Sequence, residues 1–122
     1  DTDDLTISRV DGTNGITTNS GPVILTAGGA ITDDNTNGAD ITGSTTTLSA
    51  ANGIGDGDDI NTDVDNLTFT NSGTGNVAIS DADDVIVQAS RNAAAGGTIH
   101  LNARGDDHRR TAQGAAARSV VY

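Results

Sequence analysis

No cysteine, methionine or tryptophan occurs in this 122-residue chain, and its only benzene rings are one Phe and one Tyr. The lack of cysteine excludes disulfides, thiol chemistry and Cys-ligated zinc. Glutamate is missing too, so all 17 acidic residues are Asp. No apolar run approaches the ~20 residues needed to cross a bilayer as a helix, so membrane insertion is not expected. There is no initiator Met, and the abrupt "DTDD" start reads as a processed chain or an excerpt, which leaves secretion open.

What is present is turn and strand chemistry. Thr occurs 18 times, Gly 16 times and Asn 11 times. Asp and Asn side chains bond nearby backbone amides, Gly supplies positive φ, and Thr with Val and Ile favours strands. Leu, Ile, Val and Phe total 24. With a net charge of −11, so few aliphatics raise the alternative of a disordered chain. The charge is uneven: residues 1 to 90 hold 15 Asp and one Arg, whereas residues 91 to 122 hold two Asp and five Arg. An acidic body repels phosphate, so nucleic acid is not expected as a partner.

Self-similarity answers the disorder reading. "LTISRVDGTNG" from Leu5 and "LTFTNSGTGNV" from Leu67 share a pattern at an offset of 62 residues. "VILTAGGAIT" from Val23 and "TTLSAANGIG" from Thr46 share L-[ST]-A-x-x-x-I at an offset of 23. Each unit opens with a period-2 strand: Leu5/Ile7, Val23/Leu25, Leu48/Ala50, Leu67/Phe69, Val85/Val87 and Ile99/Leu101. Strands separated by polar corners, recurring every 18 to 23 residues or so, predict an all-β parallel β-helix, a β-solenoid whose narrow core needs few aliphatics. A β-sandwich is the other architecture short strands allow, but its hairpin pairing is not suggested by repeats that return in the same direction. The expected division is rungs over residues 1–103 and a C-terminal cap or docking tail over 104–122.

"GPVILTAGGAITDD", "TTLSAANGIGDG" and "NLTFTNSGTGNVAISDADDVIV" resemble the degenerate repeats of filamentous haemagglutinin-type proteins, the large secreted bacterial adhesins, over about residues 5 to 90. The resemblance implies a right-handed parallel β-helix shaft, extracellular or at the bacterial cell surface. Right-handed crossovers are also what parallel connections favour. A structural segment of an adhesin or surface filament is therefore expected, assembling head-to-tail with itself or meeting a host or neighbouring cell surface. The tail, with its reversed charge and apolar Val120, Val121 and Tyr122, is the candidate self-association element.

The acidic clusters are the candidate metal ligands. Calcium takes six to eight oxygens or so from carboxylates, carbonyls and water. "ANGIGDGDDINTD" from Ala51 invites that reading, but it fits neither the Gly-rich nonapeptide repeat nor the helix-loop-helix loop: Asn61 falls where an apolar residue belongs, and Ile60 where a ligand belongs. Its acidity is first a turn chemistry, with Ile54 and Ile60 directed inward. Any calcium would sit between rungs, held by Asp56, Asp58 or Asp59 with Asp33, Asp34 or Asp83. No cofactor is required by this reading.

Other motifs carry less. "RGD" at Arg104 to Asp106 matches an integrin-binding tripeptide, but three residues are a weak match and the stretch reads first as a polar turn after the Thr98 to Asn102 strand. His100 lies between Ile99 and Leu101 and so faces outward, which argues against a site with Asp107 and His108. "NLT" at Asn66 is a glycosylation pattern whose Leu67 belongs to the core. Catalysis is not expected: residues 1 to 90 offer Arg9 as their only base, and the chain lacks aromatic platforms for sugars.

Overall fold

The computed structural model describes residues 1–10, 13–35 and 38–104. Among these, every regular element is a strand: β1 (Leu5–Ile7), β2 (Arg9–Val10), β3 (Thr13–Asn14), β4 (Ile16–Thr17), β5 (Val23–Thr26), β6 (Ile31–Asp33), β7 (Ile41–Ala50), β8 (Ile60–Asn71), β9 (Val77–Asp81), β10 (Ile86–Val87), β11 (Arg91–Asn92) and β12 (Ile99–Ala103). All pairings are parallel except the small β2–β3 ladder. The chain is a parallel β-solenoid of about four turns.

The turns can be counted on one column of core residues, half-buried at Leu5 and fully buried beyond it. Leu5 pairs with Ile31, Ile31 bridges to Ile54, Ile54 to Val77, and Val77 pairs with Ile99. The successive spacings are 26, 23, 23 and 22 residues. The first turn exceeds the 18 to 23 expected because it makes an antiparallel excursion, Arg9 opposite Asn14. Ile31, Ile54, Val77 and Ile99 are all fully buried.

Period-2 alternation does the rest. In β7, Thr46, Leu48 and Ala50 point inward; in β8, Leu67, Phe69 and Asn71 do so beside them. Register places Val23 beside Thr46 and Thr46 beside Leu67, and in the next inward column Leu25 beside Leu48 and Leu48 beside Phe69. The 23-residue similarity is thus the true register of neighbouring turns. The 62-residue similarity is not: Leu5 stands in the Ile31 column, while Leu67 stands in that of Thr46 and Val87 on another wall. Local strand chemistry repeats on different walls, so sequence likeness alone does not identify a column.

The "ANGIGDGDDINTD" stretch forms a bulge in a strand. Ile54 bridges Val77 and Ile60 pairs with Ile79, so five residues lie between Ile54 and Ile60 where one lies between Val77 and Ile79. Gly55 is buried and its amide still donates to the Ile31 carbonyl at 2.8 Å. Asp56 to Asp59 are therefore the extra four residues, extruded while both flanking isoleucines stay in the core. Glycine is required at 55, where φ is +66° and a Cβ would run into the Ala78 carbonyl oxygen.

Candidate functional site

The most developed polar site lies where β8 turns from one wall to the next. Asp40 precedes β7, and Asp81 ends β9; the turns that carry them flank the Asn61–Val64 corner of β8 on opposite sides. Both carboxyls are buried, at 0% and 1% exposure. Period-2 alternation carries Asp81 inward after Val77 and Ile79. Asp40 is buried by a different route, being drawn in at the corner immediately before buried Ile41.

Each carboxyl serves the β8 corner. Asn61 N–H donates to Asp40 Oδ2 at 2.7 Å, and the Asn35 amide donates to Oδ1 at 3.0 Å. From the other side, Asp81 Oδ2 accepts the Thr62 hydroxyl at 2.7 Å and the Val64 N–H at 3.2 Å. Asp83 N–H closes a local turn onto Asp81 Oδ1 at 3.1 Å. These bonds stabilise the ionised form, but burial outweighs them.

Burial pushes Asp40 up to about 6 from 3.8, opposed by the Asn61 backbone and reinforced by the neighbouring Asp33 carboxyl. Burial likewise raises Asp81 to about 6, against the pull of the Thr62 hydroxyl and the Asp83 and Val64 amides, with the Asp83 charge adding to the rise. A cleft of about 270 Å³ opens here, lined by Asn61, Thr62, Ser80, Asp81 and Arg104 among others. It is a surface recess, and of the two buried carboxyls only Asp81 lines it.

A second polar device uses asparagine. Asn71 and Asn92 are fully buried and in register, with Asn71 Nδ2 donating to Asn92 Oδ1 at 3.0 Å. Asn71 Oδ1 accepts the Gly53 N–H at 2.9 Å, and Asn92 Oδ1 the Ala94 N–H at 3.0 Å. The ladder satisfies corner amides without charge.

The candidate calcium ligands are distributed as follows. Asn61 Nδ2 donates both to Asp33 Oδ2 at 3.4 Å and to the Asp59 carbonyl at 3.2 Å, so an amide donor joins these two. Asp56 is exposed and receives both the backbone and the side-chain N–H of Asn76, each at 3.2 Å. Asp34, Asp58 and Asp83 are exposed. Among the described residues, no three His, Cys, Asp or Glu side chains gather so as to hold a metal ion.

His100 is exposed on β12 between buried Ile99 and Leu101. Val120, Val121, Tyr122, His108, Asp107 and the Gly-Asp of "RGD" lie outside the described residues. So does the proposed tail beyond Arg104.

The site and fold define a small β-solenoid with buried inter-turn polar ladders. No family model, curated protein or solved structure matches the chain. No helix among the described residues is long and apolar enough to cross a membrane.

Proposed function

We propose that this chain is a structural segment of a bacterial extracellular adhesin or surface filament, and that it acts by extension and contact, without catalysis. The observation that supports this is the unbroken backbone pairing from β1 through β6, Ile54 and β9 to β12. Each turn takes its hydrogen bonds from its neighbours, so stability and length grow together as in other solenoids. The repeat style of residues 5 to 90, similar to filamentous haemagglutinin-type adhesins, favours the extracellular reading. Among the described residues β1 and β12 each pair on one edge, which suits head-to-tail addition of a second copy.

Negative-stain microscopy of the full chain over a range of concentrations tests this. End-to-end rods that lengthen with concentration are expected; short particles of one size at every concentration would remove self-assembly from the proposal.

A calcium-binding or ligand-adhesive module is the second reading. It is favoured by the Asp56–Asp59 bulge, an exposed acidic insertion that fills no core position. Rods or a melting temperature that respond to calcium and to a chelator would support it, and indifference to both would exclude a structural calcium.

A further inference from the structure

One wall of the solenoid carries no acidic side chain on its outward strand positions. Its outward positions form three ranks across β5, β7, β8, β10 and β11. The first is Thr45–Asn66–Ile86, the middle Ile24–Thr47–Thr68, and the third Thr26–Ser49–Thr70–Arg91. These alternate with the buried Thr46, Leu48 and Ala50 of β7 and Leu67, Phe69 and Asn71 of β8. The chain has 17 acidic residues, yet none occupies any of these positions. The same wall carries both exposed large hydrophobics of the described residues, Ile24 at 71% and Ile86 at 41% exposure.

Charge is placed only at the rims. Asp65 and Asp84, both exposed, precede the wall at the corners leading into Asn66 and Ile86, and Arg91 stands at the far end of the fourth-turn strand. Acid at one rim and base at the other is self-complementary when strand direction is reversed. A two-fold axis parallel to the solenoid axis does this. It sets the middle rank against itself, Ile24 on Ile24 and Thr47 on Thr47, and brings Arg91 of each copy toward Asp84 of the other.

We infer that this wall is a lateral docking surface for a second copy of the chain, packed side by side with antiparallel strands. Approaches that bring the exposed Asp34, Asp56, Asp58, Asp63 or Asp83 of two copies together set carboxylate against carboxylate. Here the acids stay at the rim, opposite arginine, and solvent screens charges more than ~8 Å apart. With strands ~4.8 Å apart and residues ~3.3 Å apart, the wall measures about 300 Å² per copy. Doubled, that falls below the ~1,200 Å² of stable interfaces, so the contact is a weak, concentration-dependent one. It is lateral, and so independent of the end-to-end contact proposed above.

The absence of native cysteine makes the test direct. In the full chain, Thr47→Cys places a thiol on the axis, and His100→Cys places one on an exposed position of another wall. Under mild oxidation at high protein concentration, Thr47→Cys is expected to form disulfide dimers several-fold faster than His100→Cys. Adding Ile24→Asp to Thr47→Cys is expected to abolish that advantage by setting two carboxylates against each other on the axis. Equal rates for the two cysteine variants, or a Thr47→Cys advantage that survives Ile24→Asp, would overturn the inference. So would a Thr47→Cys thiol that resists a soluble maleimide in the dilute monomer while His100→Cys reacts, because the wall would then be covered by the chain's own residues.

Discussion

Asp40 and Asn61 hold each other across adjacent turns: the Asn61 N–H donates to Asp40 Oδ2 at 2.7 Å, and the Asp40 N–H donates to the Asn61 carbonyl at 2.6 Å. The carboxylate thus occupies a position where a backbone ladder bond and a side-chain bond meet. Its burial is total, so its charge is the expensive part.

That expense is readable as pH dependence. Asp40 and Asp81 are both raised from 3.8 to about 6. Between about pH 4 and pH 6 the folded chain therefore binds more protons than the unfolded chain, and stability falls as pH rises. The contribution is fully present below the unfolded value and lost above the folded one. A shift of this size corresponds to at most about 3 kcal/mol per group. Melting temperature should climb as pH is lowered from about 8 to about 4.5. Asp40→Asn and Asp81→Asn should each flatten the climb; at neutral pH the relief of burying a charge is offset because the new NH2 faces a donor, the Asn61 N–H or Asn35 Nδ2 at 40 and the Asp83 or Val64 N–H at 81. Asp63→Asn, at an exposed position, removes the same charge and should leave the slope nearly unchanged, which separates burial from general repulsion.

Thr46 Oγ1 is buried without a hydrogen-bond partner, in register between Val23 and Leu67. Valine has the same shape and no hydroxyl to desolvate. Thr46→Val is expected to stabilise the fold by about 1 kcal/mol in denaturant titration. A loss of stability would show that the hydroxyl has a role the packing does not reveal.

Asn71 cannot be replaced so simply. Its Oδ1 accepts from Gly53, and its Nδ2 donates to the Thr74 carbonyl at 2.8 Å as well as to Asn92. Asn71→Ala should cost roughly 2 to 4 kcal/mol, because a buried amide and a buried carboxamide lose partners together. Asn71→Asp should be worse at neutral pH, since it also buries a charge facing the Asn92 and Thr74 oxygens. Urea midpoints at about pH 7 rank the two variants.

The Asp56–Asp59 bulge should be dispensable. Removing residues 56 to 59 leaves Ile54-Gly55-Ile60 in phase with Val77-Ala78-Ile79, restoring a continuous strand. The deletion loses the two Asp56 bonds to Asn76 and the Asn61 Nδ2 bond to the Asp59 carbonyl but shortens a loop, so a net change within about 1 to 2 kcal/mol is expected. Circular dichroism would show a retained β spectrum. A calcium response present in the full chain and absent from the deletion would assign the ion to this bulge.

Much of this was legible from residue order. Alternation at Leu67, Phe69, Val77, Ile79, Ile99 and Leu101 marks strands buried on one face, and the outward turn of His100 follows from the same period. The 23-residue likeness between Val23 and Thr46 gave a correct register. Extending the alternation by one step would also have found two buried polar residues, Asn71 after Phe69 and Asp81 after Ile79. Asp81 lies within "DADD", where composition, which treats all Asp alike, does not separate it from the exposed Asp83 and Asp84.

Asp40, Asn61 and Asn92 carry no such signal. Asp40 and Ile41 are adjacent and both buried, which alternation forbids within a straight strand and a corner permits. Asn92 follows a one-residue slip, since Val87 pairs with Leu67 at an offset of 20 but Asn92 with Asn71 at 21.

The amino-acid order by itself determined that this chain makes strands, corners and stacked turns, because side-chain period and turn chemistry are local properties. Which column each strand joins, which aspartates lose their water and which wall stays free of acid were decided only when the turns stacked. Those properties depend on neighbours some 20 residues away in the chain and ~4.8 Å away in space.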